Sequence, residues 1–576
     1  MSQKESYTGK VNRKLKKKLH IISVAAGRTT ADLVLKNATY INVFSNELCR
    51  GDIAVAEGLI VGLGEYSGER EVDVSGKIVL PGFVDAHIHL ESSLVDPSEF
   101  AKAVLPHGTT AVVVDPHEIA NIMGTDGIEY MLQATEGLPI DVRFMLPSCV
   151  PATPLDEAGA NLDFRAIDSF YDHPRVLGLA EMMNSYGVIH NDPDVVLKIV
   201  AAQAHHVKID GHAPGLTGND LNAYIAAGVY SDHECSDISD AIEKLQKGQY
   251  IMIREGTAVR NLEALSSLLC PKYEGRCMFC TDDKHPNDLL EKGHIDYIVK
   301  KAVALGVDPI CAIKAATYNA ARYFHMENRG AIAPGYLGDL VVIDNFENFG
   351  VEQVYKRGVL MSEHGAVTDF EPPKIDPFLR DRAHDTFHIS LLTSKSFTDN
   401  RPRGVIGMVN GEIVTEDAGY ADHIDIGNDI LKIAVTERHK NTGHIGIGYI
   451  KGYGLKNGAV ATSVSHDSHN IIVVGADESD MAVAANRVIE LNGGIAVSCG
   501  GKITAEVPLS VAGIMSDEPL TTVNEKLERA KAEAHRAGVG CEIDPFMTLS
   551  FMALPVIPTF RITTRGVFDV NSQKYI

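Results

Sequence analysis

Between Pro81 and about His325 the chain alternates short apolar runs with helical stretches, and no other feature constrains its fold as strongly. The runs fall at 110–114, 143–146, 176–180, 207–210, 228–231, 250–253 and 276–281, and they read as strands. Strands and helices alternating over roughly 250 residues fit a (β/α)8 barrel of the TIM type. A doubly wound open sheet has the same periodicity, so alternation alone leaves both open.

Shorter β-like segments lie on either side. Those at 32–35, 53–55, 59–62 and 78–80 precede the alternating stretch, and 333–344 and 351–361 follow it, each broken by turn residues. The two flanks can therefore pair in one small β-sandwich. Residues 371–382, with Pro372, Pro373 and Pro377, read as a linker, and nearly 200 residues of α/β character follow. A chain of 576 residues is too long for one hydrophobic core. The expected units are an N-terminal helical extension at 1–30, a composite small β domain from 31–80 plus 328–370, a catalytic barrel at 81–327, and a C-terminal α/β domain at 383–576.

Charge and cysteine content exclude several classes. A formal net charge of -23 disfavours a nucleic-acid polyanion or an anionic membrane surface as partner. The basic cluster Lys14, Lys16, Lys17 and Lys18 precedes an apolar stretch interrupted by His20 and Ser23, a poor secretory signal that reads better as a solvated helix face. No run reaches the about 18 apolar residues needed to span a bilayer, so the expected location is the cytoplasm. Nine scattered cysteines form no disulfide framework. Cys277 and Cys280 make a C-x-x-C without a second pair, which reads as a buried strand.

The chemistry concentrates at strand ends. The run from Pro81 to Ser93, PGFVDAHIHLESS, ends a strand in His87-x-His89, and residues two apart in a strand share a face, so both imidazoles can reach one metal ion. Glu181, His212, His233 and Asp282 follow later apolar runs. A barrel assembles its site from the C-terminal ends of its strands, so residues far apart in sequence would converge there. Any one of them alone reads as a satisfied polar residue or a surface charge; their recurrence at five strand ends points to a metal centre.

With His87 and His89 on the first strand, His212 on the fifth, His233 on the sixth and Asp282 on the eighth, the sequence resembles the amidohydrolase superfamily. The flanking small sheet and the strand after 333 resemble it too. Glu181 stands where many binuclear members carry a bridging carboxylated lysine. The stretches 115–118, 180–183, 210–215, 231–235, 253–256 and 280–284, and the C-terminal 463–470, resemble the adenine deaminase family specifically, over almost the whole chain.

That resemblance implies a closed barrel and hydrolytic deamination of adenine to hypoxanthine and ammonia, in purine salvage. It implies two divalent cations per subunit, manganese or iron ahead of zinc, held by His87, His89, Glu181, His212, His233 and Asp282. A water shared by the metals would lose a proton and attack C6 as hydroxide, with Asp282 taking that proton and returning it to the departing amine. Glu234 is the candidate donor to N1, a role that requires a raised pKa. Asp283 competes with Asp282 as ligand, and with Ser92, Ser93 and Asp115 it is a candidate substrate contact. Arg254 and Glu255 read as a buried pair near the pocket, and His466 and His469 as packing or active-site wall. The expected partner is a free purine base, in a homodimer or tetramer. The alternatives are hydrolysis of a cyclic amide or N-acetyl substrate by the same metal cage, and an inactive barrel used as a scaffold.

Overall fold

The structure is a computed structural model that describes residues 7–399, 401–409 and 414–576, so the first six residues of the N-terminal extension and residues 400 and 410–413 of the C-terminal region lie outside it. Eight parallel strands form its centre: Phe83–Ile88, Thr109–Val114, Asp141–Leu146, Val176–Met182, Lys208–Gly211, Ser231–Asp232, Tyr250–Arg254 and Cys277–Cys280. The first five pair in chain order, as do the last three. Between strands 5 and 6 side chains make the link, with the Gly211 N–H donating to Ser231 Oγ (3.2 Å) and the Ala213 N–H to Asp232 Oδ1 (2.8 Å).

Strand 8 then returns to strand 1. The Asp282 N–H donates to the His87 carbonyl (2.9 Å) and the His89 N–H to the Asp282 carbonyl (3.1 Å). An open doubly wound sheet would leave these two edges unpaired, so the alternation closes into a barrel. Strands 1, 2 and 8 are buried at every residue, because helices cover their outer side. Both cysteines of the C-x-x-C are buried in strand 8 as free thiols. Strand 6 is shorter and later than the run at 228–231 implies. The preceding helix, Gly218–Ala226, closes with the Gly228 N–H on the Ile225 carbonyl (2.9 Å), and Gly228 turns at φ 110°, so extension starts only at Ser231.

Strands from both flanks form one nine-stranded sheet. Its central join pairs Ile78–Pro81 with Leu340–Ile343, antiparallel, from Ile78 opposite Ile343 to Pro81 opposite Leu340. A buried charge network ties this sheet to the barrel: Lys356 Nζ lies 2.6 Å from Asp141 Oδ2 and 2.8 Å from Asp339 Oδ2, and Arg329 pairs with both carboxylates. The N-terminal helix Tyr7–Ala25 buries Val24 and sets Lys17 and His20 on Glu57, at 3.0 and 3.3 Å.

The proline-rich segment 371–382 is only partly a linker. Asp376 caps the helix Pro377–Ala383 by accepting the Phe378 N–H, Pro377 fills the first turn, and Leu379 and Ala383 are buried. Aspartate before proline is a helix-start signal that outweighs the local proline density. An eight-stranded sheet follows, at whose centre Ile430–Thr436 lies between Ile445–Lys451 and Ile471–Gly475. One hydrophobic cluster runs without a break from Val112, Val142 and Phe144 of the barrel to Leu431, Ile433 and Val474 of this sheet. Among the described residues no helix is long and apolar enough to cross a membrane.

Candidate active site

His87 and His89 end strand 1, where the chain bends into a short 3-10 turn, Leu90–Ser93. The His89 Nδ1–H donates to the Asp115 carbonyl (3.1 Å), which leaves the Nε2 lone pair free to point inward. Asp282 takes a left-handed backbone (φ 58°) two residues past the end of strand 8 and hydrogen-bonds to the backbone of both His87 and His89. A short polar residue tolerates that conformation, and it sets the carboxylate against the two imidazoles. Asp282 Oδ1 lies 3.4 Å from His87 Nε2 and 3.0 Å from His89 Nε2.

Glu181, at the end of strand 4, divides its carboxylate. Oε1 lies 3.7 Å from His87 Nε2 and 3.3 Å from His89 Nε2; Oε2 lies 2.9 Å from His212 Nδ1 and 3.3 Å from His233 Nε2. Each oxygen thus serves a separate cluster, and all of these side chains except the partly exposed His212 are buried. Burial opposes ionisation of Glu181, but His233, His212 and His89 around it hold the carboxyl well below its ordinary value. His87 Nε2 and His233 Nε2 are buried with no hydrogen-bond partner. An orphaned imidazole nitrogen facing carboxylates is costly without a cation and natural with one, so the donor set fits two divalent metals.

Arg254, ending strand 7, lies 2.8 Å from Glu234 Oε1 and also pairs with Asp282 Oδ2. The expected partner Glu255 instead bonds Lys301 (3.1 Å), because successive strand residues point to opposite faces. Burial alone would raise the Glu234 carboxyl, but the charges of Arg254, His212 and His233 outweigh it and hold the group below its ordinary value. That direction is opposite to the raised pKa that a waiting N1 donor requires.

A cavity of about 450 Å³ opens over these groups, lined by both the barrel and the C-terminal region. Asp283 lines it and accepts from Ser92 Oγ (2.5 Å). Ser92, Ser93 and Asp115 are not among the lining residues. The Ser93 hydroxyl donates to the Leu90 carbonyl (2.6 Å), and Asp115 Oδ2 accepts from His117 Nδ1 (2.8 Å), so these two shape the loop and orient His117.

Sequence reasoning missed the roles of His117 and Glu118, which follow strand 2 and line the cavity, although the strand-end rule that found the other residues points to them as well. It read His466 as packing or active-site wall, and the cavity does include it, but it left Asp467, Phe551, Leu554, Val556 and Ile557 of the same wall unassigned.

Comparison with known proteins shows the family. The Amidohydrolase family model matches residues 78–361, and the Adenine deaminase C-terminal domain model matches 409–574. An adenine deaminase of Desulfatibacillum aliphaticivorans is 47% identical over 567 residues, covering 96% of this chain and 98% of that one. Another, of Kosmotoga olearia, is 45% identical over 569 residues, covering 97% and 98%. The chain belongs to the adenine deaminase family of amidohydrolases.

Proposed function

We propose that the protein is an adenine deaminase, an aminohydrolase that converts adenine and water to hypoxanthine and ammonia. The observation that carries this reading is the Glu181 carboxylate shared between two buried imidazole clusters, in a chain matched nearly end to end by relatives of that name.

His87, His89, Asp282 and Glu181 Oε1 would hold one divalent cation, and His212, His233 and Glu181 Oε2 the other. When bound, such cations lower the pKa of a shared water toward neutrality. Imidazole and carboxylate donors without thiolate suit manganese, iron and zinc; we take manganese or iron as native, on the family resemblance.

The residues then move two protons. Glu234, a carboxylate at the start, takes one proton of the water as its oxygen adds to C6 and delivers it to N1, which neutralises the charge that would build up on the ring. Asp282 takes the second, from the new C6 hydroxyl, and passes it to the amino group. Ammonia leaves, the C6 carbonyl forms, and both carboxylates return to their starting state. Asp283, steadied by Ser92, faces the cavity as a substrate contact. Acting on a free base, the enzyme would serve purine salvage in the cytoplasm as a homodimer or tetramer, and its net charge of -23 argues against nucleic-acid or membrane partners.

The test is product identity. Chromatography should show hypoxanthine and ammonia in equal amounts from adenine. Glu234→Gln should keep its metals and lose roughly 10²- to 10⁴-fold in kcat, the usual share of one general acid–base group. Asp282→Asn should lose activity and metal together. Hydrolysis of a cyclic amide or N-acetyl substrate with adenine untouched would overturn the substrate assignment.

A further inference from the structure

The wall of the cavity formed by the C-terminal region carries one imidazole whose orientation is set by the barrel. Glu118 lies in the helix His117–Met123, which follows strand 2, and both of its oxygens are engaged across the interface. Oε1 lies 2.6 Å from His466 Nδ1, and Oε2 is hydrogen-bonded to His469 Nε2. The three residues lie close enough together to hold a cation. The hydrogen positions argue against one. His469 Nδ1 accepts the Ser465 N–H (3.2 Å), so its own hydrogen sits on Nε2, between that nitrogen and Glu118, where a metal would need the lone pair.

His466 differs from His469. Its Nδ1–H is directed at Glu118, its ring stacks on Phe551 (centroids 5.0 Å apart, planes at 25°), and it lines the cavity. Nε2 has no partner among the described residues and is the ring atom left for a ligand. Apart from the neighbouring Asp467, the C-terminal wall is apolar, with Phe551, Leu554, Val556 and Ile557, which suits a flat heterocycle fixed by few polar contacts.

We propose that His466 is a substrate-binding residue supplied by the C-terminal domain, whose Nε2–H donates to an acceptor nitrogen of the purine, N3 or N7, away from the reacting C6. This rests on the deaminase reading above. With N1 given to Glu234, N3 and N7 are the ring acceptors that remain. Burial opposes a charge on His466, but the adjoining Glu118 carboxylate raises its pKa to about 9, so both ring nitrogens carry hydrogen at neutral pH. The Glu118 bridge is thus a positioning device: it spans 348 residues of chain to aim an imidazole N–H. A contact to a ring atom remote from the bond changes holds ground state and transition state alike, so it acts on KM more than on kcat.

The experiment compares adenine, 3-deazaadenine and 7-deazaadenine on the metal-loaded wild type and on His466→Leu, which keeps bulk against Phe551, with metal content measured in both. Wild type should handle one of the two analogues roughly 10- to 100-fold less efficiently than adenine, the value of a charge-assisted hydrogen bond, with the loss in KM. His466→Leu should treat adenine as poorly as wild type treats that analogue and lose little more on the analogue itself, because the pair forms a double-mutant cycle that cancels changes in ring electronics. His466→Gln, which keeps an N–H donor, should recover part of the affinity. Equal analogue penalties in wild type and His466→Leu would overturn the proposal and leave the deaminase reading standing. So would a wild type that handles both analogues as well as adenine, whatever the variants do. No adenine turnover by the metal-loaded wild type would overturn both.

Discussion

Arg254 determines which carboxylates the site can use. It pairs with both Glu234 and Asp282 and so favours the ionised form of each. Because Arg254 and the neighbouring imidazoles hold Glu234 below its ordinary value, the group is lost as a base only when pH falls below the usual carboxylate range. Arg254→Gln removes the largest of those charges, so the Glu234 pKa should rise and the acid limb of the kcat/KM profile should move to higher pH. A limb that stays in place, or moves down, would contradict the assignment. The residues proposed as ligands were legible in the sequence as a candidate set because each ends an apolar strand run. Arg254's partners were not: its chain neighbour Glu255 faces the other side of the strand, and Glu234 comes from a different strand end brought near only by closure of the barrel. Glu118 was hidden for a related reason, since an acidic residue in the first turn of a helix looks like ordinary helix-dipole pairing.

At the scale of elements, the small sheet is held to the barrel by charge as well as by apolar contact. Asp141, at the start of strand 3, meets Lys356 and Arg329 beside Asp339. Burial would raise the Asp141 carboxyl, but Lys356 and Arg329 outweigh it and hold the group below its ordinary value. A depressed carboxyl pKa adds stability that is present above the unfolded value of about 4 and lost as pH falls through the folded value. Asp141→Asn leaves two buried cations short of a partner and should cost about 3–5 kcal/mol in denaturant unfolding at pH 7, with the deficit shrinking below about pH 4. A variant as stable as wild type at pH 7 would show that the network is not what anchors the sheet. The alternating runs made these elements legible. What misled was local composition read without its cap: three prolines suggested a linker at 371–382, while Asp376 and Pro377 begin a helix.

The whole molecule is a barrel whose site is completed by a region distant in sequence. The C-terminal sheet shares a hydrophobic cluster with the barrel, and its region supplies part of the cavity wall, so it cannot be a passive appendage. Its part was only partly legible in the sequence: 463–470 stood out and suggested packing or an active-site wall, but the Glu118 contacts that join His466 and His469 to the barrel link positions too far apart for local pattern to show. The central claim is that the divided Glu181 carboxylate and its imidazoles are a two-metal centre for deaminating adenine. The most direct test is the ultraviolet absorbance of adenine with metal-stripped protein and with the same protein reloaded with Mn²⁺, alongside counted metal. The account predicts no reaction from the stripped protein, and conversion to hypoxanthine that grows as metal approaches two per chain. Full turnover by metal-free protein, or a protein holding two metals that leaves adenine unchanged, would contradict it.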